Sequence, residues 1–268
     1  MPITSLLADS SFAPEQQHVT QGREKVSLSG PLARALLTKL TRSNLLDAED
    51  IAAIEQLPMK VRRLGPDQLI VAEGDRPAEC CLVGSGFVFR SKATDDGQLQ
   101  VLSLHIPGEI PDLQSLHLKV MDHDLMTLTS CTLGFITHDA LRGLIRRPNL
   151  ADAFWRETLV DAAIFREKIV SLGRRSALPR LAHLLVETEK RLQSIGLTSN
   201  GEFKLPITQM QLADCLGIST VHVNRVMQEL RRNGALAVSR DFFEFINPTH
   251  LEQLAGFDPS YLHLGPDQ

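Results

Sequence analysis

The amino-acid sequence predicts an α+β chain in three parts: an antiparallel β-roll, one long helix, and a helix-turn-helix followed by a wing. Three patterns carry that expectation. Residues 58–137 break into short runs of alternating or clustered apolar side chains, separated by glycine-marked turns. From Pro148 onward the apolar spacing changes to a helical period. Residues 207–232, ITQMQLADCLGISTVHVNRVMQELRR, then describe two short helices meeting at Gly217.

Taken in order, residues 1–30 are polar, carry Pro2, Pro14 and Gly22, and are expected to form a loose tail. Residues 31–57 hold two short amphipathic helices, the second capped by Asp47 and closed before Pro58. Strands are expected at 68–72, 80–83, 86–91, 99–105 and 126–137. Gly65-Pro66, Glu73-Gly74-Asp75, Asp95-Asp96-Gly97 and Pro107-Gly108 mark the turns between them. Helices and strands together make a sensor-like roll domain over 31–147.

The long helix occupies 148–173. Ala151, Trp155, Thr158, Ala162, Phe165, Ile169 and Leu172 follow a 4-3-4-3-4-3 spacing, a seam of about three heptads. Phe154 and Ile164 lie off that seam and are free to pack on the roll. A helix apolar on two sides has two partners. The seam is therefore expected to join two copies of the chain, with burial inside one domain as the alternative. A further helix over roughly 177–195, with Leu178, Leu181, Leu184 and Leu185 inside, opens the last domain, 174–268.

In that domain Met210, Leu212, Ala213 and Leu216 fall at helical spacing. Gly217 suits the left-handed residue that ends a helix, and Ser219 caps the next one. Ala213 stands where the two helices approach most closely, so its side chain must be small. Val223, Val226, Met227 and Leu230 are expected inside. Ser219, Thr220, Val221, His222, Asn224 and Arg225 then form an outer face able to meet base edges and phosphates of double-stranded DNA. Thr208 and Gln209 open the first helix, where hydroxyl, amide and backbone N–H groups can hold phosphate. Residues 236–238 and 242–246 fit wing strands, with Arg240 at the tip.

Net charge alone does not suggest a nucleic-acid binder, at −4 with an isoelectric point near 6.1. The charge is uneven, since residues 168–240 hold 11 basic against 5 acidic side chains. No apolar run approaches the roughly 20 residues of a membrane span, and no secretory signal opens the chain. Cys80, Cys81, Cys131 and Cys215 form no framework and read as reduced thiols of a cytoplasmic protein. No nucleophile elbow, P-loop or dinucleotide fingerprint supports an enzyme; a ligand carrier with an incidental helix-turn-helix is the competing class.

Glu73-Gly74-Asp75, Pro107-Gly108-Glu109, the segment Pro179-Arg180-Leu181-Ala182-His183-Leu184-Leu185, and Leu212-Ala213-x-x-Leu216-Gly217 with Ser219, Val223 and Arg225 together resemble the Crp/Fnr superfamily of bacterial transcription regulators. The resemblance runs from about residue 45 to the end. It implies a cyclic-nucleotide-binding-like jelly roll, a dimerisation helix and a winged DNA-binding domain. It also implies a homodimer on a near-palindromic site, in contact with RNA polymerase.

Departures from that pattern bear on the effector. Members that bind cyclic nucleotides place an Arg-Ser pair on the phosphate; the matching positions here are about Met121 and Asp122, within MDHDLMT. Their Thr-Ser pair for the base corresponds roughly to Phe165-Arg166. Both handles are missing, so cAMP and cGMP are not expected. The iron–sulfur version needs N-terminal cysteines, and none precedes Cys80. In the recognition helix, Arg225 matches the family's later Arg, while Thr220-Val221 replace an earlier Arg-Glu pair, which alters the expected half-site. No cofactor is assigned. A thiol switch at Cys81, Cys131 or Cys215 stays open. So does metal or haem at His105, His117 and His123 with Asp112, Asp122 and Asp124, although solvated loop residues are the default for these. A roll that binds nothing, with control through protein level, is the remaining option.

Overall fold

The computed structural model describes residues 30–42, 45–198 and 201–265. All of the expected tail except Gly30 lies outside these. Gly30 opens α1 (Gly30–Leu40), which turns Leu32, Ala33, Leu36 and Leu40 to one side. α2 (Ala48–Glu55) begins at Asp47, whose carboxylate accepts the Asp50 N–H at 2.8 Å while Asp50 accepts the Asp47 N–H at 3.1 Å.

Seven strands then build the roll: β1 (Lys60–Leu64), β2 (Leu69–Val71), β3 (Glu79–Ser85), β4 (Val88–Ala93), β5 (Leu99–His105), β6 (Asp124–Thr127) and β7 (Cys131–Thr137). They pair antiparallel in two sheets, ordered β1-β7-β3 and β2-β6-β4-β5. Val71, Val83, Val88, Leu125, Leu133 and Phe135 fill the space between the sheets. β1 escapes the apolar pattern because it is an edge strand carrying Lys60, Arg62 and Arg63. The expected strand at 126–137 is in fact two strands. Leu128, Thr129 and Ser130 carry the chain from one sheet to the other, and the Leu128 N–H bonds to Phe87 O at 2.8 Å.

Successive side chains of β3 point to opposite faces. Cys81 lies in the roll interior and Cys80 in a second core formed with α1. α1 approaches β3 closely enough that a Cβ on Gly84 would stand 2.9 Å from Thr132 O and clash with Leu32. Only glycine fits there.

α3 (His138–Leu144) leads into α4 (Pro148–Arg174), with Pro148 in its first turn. Leu150, Ala153 and Phe154 bury against the roll-side core. Ile164, expected on the roll, instead joins Val160 against Leu262 of a terminal 3-10 turn, Pro259–Leu262. That segment is also held by Tyr261, whose hydroxyl donates to Glu187 Oε2 at 2.8 Å.

The remaining elements are α5 (Ala177–Ser194), β8 (Glu202–Lys204), α6 (Gln209–Leu216), α7 (Thr220–Arg232), β9 (Leu236–Ser239), β10 (Phe242–Phe245) and α8 (Pro248–Ala255). β8 was not expected; it adds a third strand to the wing sheet, ordered β8-β10-β9. Leu181, Leu185, Leu212, Leu216, Val223 and Leu230 form the core of this unit. The same cluster continues into Phe87, Phe89, Val101 and Leu104 of the roll. The helix-turn-helix is therefore packed on the outer face of β4 and β5.

Candidate nucleic-acid interface

Local chemistry fixes the two helices. The Thr208 hydroxyl accepts the Gln211 N–H at 3.1 Å, and Gln211 Oε1 accepts the Thr208 N–H at 2.9 Å, a reciprocal capping box. α6 ends at Gly217 with φ 63° and ψ 39°, the left-handed conformation. The Ser219 hydroxyl then accepts the His222 N–H at 3.3 Å and starts α7.

Val223, Val226 and Leu230 turn inward and Met227 is half-buried. Thr220, Val221, His222, Asn224 and Arg225 are exposed on the other side, as are Thr208, Gln209 and Ser219. Val221 is 66% exposed, an apolar side chain held in water on the face expected to meet thymine methyls. Gln209 Nε2 donates to Asn224 Oδ1 at 2.7 Å, which ties the start of α6 to the outer face of α7. Arg240 stands apart on the wing turn with φ 53°. Met210 is a correction: the structure leaves it 65% exposed on the first turn of α6, because the helix is only eight residues long and its core face runs through Leu212, Ala213 and Leu216.

Sequence reasoning missed the side chains that hold α6 from outside. Gln100 of β5 donates to Asp214 O at 2.7 Å, Lys168 of α4 to Cys215 O at 2.8 Å, and Arg180 of α5 to Leu216 O at 2.5 Å. Three elements thus satisfy the open carbonyls at the C-terminal end of α6. At the other end, Gln211 Nε2 donates to Asp67 Oδ1 of the roll at 2.9 Å. The Thr-x-x-Gln spacing at 208–211 was a readable signal for Gln211; the other partners depend on tertiary contact.

Between the roll, α1, α4 and α5 lies a cavity of about 350 Å³, bordered by Leu36, Arg90, Glu109, His123, Phe165 and Arg191 among others. Its charged groups are engaged with one another. Arg90 donates to Asp161 at 2.6 Å and to Pro111 O. Glu109 accepts from Arg191, Lys39 and His105, and the adjacent cations and the His105 bond hold its carboxyl well below the usual range despite burial. Because His105 Nδ1 donates to Glu109, Nε2 of the neutral ring accepts a hydrogen bond from the Ser103 hydroxyl at 2.8 Å.

The default of solvated histidines is overturned for two residues. His105 and His123 are 2% and 6% exposed, each bonded to a carboxylate, and burial lowers both pKa values. Asp112 is buried as well, while His117 is exposed. Of the two positions matched to the phosphate handle, Met121 is packed in the roll core and Asp122 is exposed. Phe165 faces the cavity and lies under Arg90, its centroid 5.4 Å from the guanidinium carbon. No group of three or more metal-ligating side chains occurs among the described residues. All four thiols are buried, and burial raises their pKa values, which keeps them protonated.

On α4, Trp155 is 63% and Ile169 69% exposed, and Leu159 and Val170 are exposed beside them. Thr158 is exposed and Ala151 and Ala162 are half-buried. Phe165 turns to the cavity and Leu172 to Gly217. The open apolar face thus keeps Trp155 and Ile169 of the expected seam but rotates away from Phe165 and Leu172 toward Leu159 and Val170.

Comparison with known proteins agrees with this architecture. Residues 61–148 match the cyclic nucleotide-binding domain, and residues 179–254 match the Crp-like helix-turn-helix domain. The transcriptional activator protein FnrA of Stutzerimonas stutzeri is 24% identical over 214 residues, covering 79% of this chain and 86% of the relative. The fumarate and nitrate reduction regulatory protein of Escherichia coli is 23% identical over 79% of this chain and 84% of its own. FixK2 from Bradyrhizobium japonicum shares the fold with a TM-score of 0.68 at 21% identity, over 75% of this chain and 98% of that one. A sensor-type roll followed by a Crp-like helix-turn-helix defines a DNA-binding regulator. The chain belongs to the Crp/Fnr superfamily of transcription regulators. No helix among the described residues is long and apolar enough to cross a membrane.

Proposed function

We propose that this regulator works as a cytoplasmic homodimer that reads a near-palindromic site through α7 and needs no cyclic nucleotide. The observation that carries the reading is the division of α7. Its core face is closed, and Thr220, Val221, His222, Asn224 and Arg225 are left open on the other. Arg225 takes a guanine edge, Val221 a thymine methyl, and Thr220, His222 and Asn224 flanking edges or phosphates. Thr208, Gln209, the Ser219 end of α7 and Arg240 hold the backbone.

The exposed apolar face of α4 supports self-association, since Trp155, Leu159, Ile169 and Val170 would otherwise stay in water. Two copies joined there present two recognition helices to adjacent major-groove turns. RNA polymerase is the partner implied once the dimer sits on a promoter. The absence of a nucleotide effector is supported by the cavity's chemistry, where Arg90, Lys39 and Arg191 are already paired with Asp161 and Glu109. A carrier or enzyme reading gains nothing from those pairs.

Selection from a random DNA pool with the purified full-length protein, at two salt concentrations and without added ligand, tests the proposal. An enriched inverted repeat is expected. Salt-sensitive background binding with no enriched sequence would overturn ligand-free competence.

A further inference from the structure

The turn between β1 and β2 carries an acid to the edge of the DNA-facing surface. Gly65, Pro66, Asp67 and Gln68 form it, and Thr127, fully buried, holds it from below. The Thr127 hydroxyl donates to Gly65 O at 2.7 Å and accepts the Gln68 N–H at 2.9 Å, while its carbonyl accepts the Asp67 N–H at 2.9 Å. The Gln68 side chain closes the turn by accepting the Gly65 N–H at 3.0 Å.

Asp67 sits at φ 55°, a left-handed position that Asp and Asn adopt more readily than most residues. Its carboxylate meets Gln211 Nε2 at 2.9 Å, and the oxygen of that same amide accepts both the N–H and the hydroxyl of Thr208, at 2.9 and 3.0 Å. One amide group therefore separates the carboxylate from Thr208. The negative charge is thus linked to the start of α6 through two hydrogen bonds and one amide group.

We propose that Asp67 is a determinant of DNA affinity: a fixed anion at the border of the phosphate path that weakens binding electrostatically. The inference rests on the placement of phosphate at Thr208 and Gln209 given above. A phosphate arriving there meets a like charge whose turn is held by Thr127 and whose side chain is hydrogen-bonded to Gln211. Repulsion of this kind acts on every DNA sequence alike, so it lowers specific and non-specific affinity together and leaves base preference unchanged. It is also screened by salt.

Asp67→Asn tests the idea, since Asn keeps the left-handed backbone and an acceptor for Gln211 while losing the charge. The full-length variant and wild type are titrated with the selected site and with a scrambled duplex at low and high salt. The variant is expected to bind both duplexes about two- to five-fold more tightly at low salt, with the gap narrowing at high salt. Asp67→Lys is expected to tighten binding further and to steepen the dependence of log affinity on log salt by about one per protomer. Equal affinities of wild type and Asp67→Asn at low salt overturn the proposal. So does weaker binding, which would make Asp67 a strut and nothing more. A wild-type protein that selects no site would instead overturn the ligand-free competence proposed above, and that result is read before any Asp67 variant is made.

Discussion

Arg191 of α5 and Glu109 of the roll are joined across the domain boundary, the guanidinium Nη2 standing 3.0 Å from both carboxylate oxygens. Both side chains are buried, at 5% and 11% exposure, and Lys39 of α1 reaches the same carboxylate at 3.3 Å. Glu109 thus joins a helix of the DNA-binding unit, a helix of the N-terminal segment and His105 of the roll, with Glu157 and Glu187 as second partners of Lys39 and Arg191.

Removing that anion should cost more than removing any one of its partners. Glu109→Gln leaves Arg191 and Lys39 buried with reduced compensation, and breaking such a buried network costs about 3–5 kcal/mol. Arg191→Met should cost less, because Glu109 keeps Lys39 and His105. Chemical denaturation of the two variants gives the comparison; equal losses would mean the network is pairwise after all. The pH sign follows from the lowered Glu109 pKa. The contribution is complete above the unfolded carboxyl value of about 4.3 and is lost as pH falls below it.

Asp112 behaves in the opposite sense. Its Oδ1 accepts the Cys81 N–H at 2.8 Å, its Oδ2 has no partner, and burial pushes the carboxyl up to about 7. Between the unfolded value near 3.8 and the folded value near 7 the unfolded chain gives up its proton first, so stability falls as pH rises through that window and is level above it. Asp112→Asn removes this loss. Its advantage over wild type should grow by about 2–3 kcal/mol between pH 5 and pH 8 in urea unfolding. A constant difference across that range would show that Asp112 does not titrate there.

How far the sequence disclosed these features depends on the range of the interaction. The fold order, the Gly217 end of α6, the Ser219 cap and the inward set Val223, Val226 and Leu230 were legible because each follows from spacing or from one residue's backbone preference. β1 was hidden by its edge-strand charges. The break between β6 and β7 was hidden because Leu128, between Thr127 and Thr129, continues the alternation of apolar and polar residues across it. The holders of α6 come from Gln100, Lys168 and Arg180, more than 30 residues away in the chain, and no local pattern announces them. The face of α4 was legible as apolar. Its rotation was not, since Phe165 and Leu172 find partners inside the same chain.

That rotation makes a choice of variants possible. Ile169 is the most exposed of the large apolar residues on α4, so Ile169→Glu should place a charge within the proposed subunit contact with little cost to the fold. Sedimentation should show a monomer, with unchanged far-ultraviolet dichroism and loss of tight binding to an inverted repeat. Phe165→Glu should instead destabilise the monomer, because Phe165 faces the cavity beside Arg90. An Ile169→Glu protein that remains dimeric would remove α4 as the site of self-association.

Arg225 and Arg240 separate reading from holding. Arg225 is exposed on α7, one position after Asn224, which Gln209 fixes at 2.7 Å, so its side chain starts from a rigid helix face. Arg240 stands on a wing turn with positive φ, where no base edge is specified. Arg225→Ala should cost about 1–3 kcal/mol per half-site and relax the preference at one base position. Arg240→Ala should weaken binding to all sequences uniformly and flatten the salt dependence by about one unit per protomer. Parallel selections with the two variants measure both effects. If Arg225→Ala retains the wild-type site and loses only salt-dependent affinity, then Arg225 holds phosphate and the reading of bases passes to Thr220, Val221 and His222.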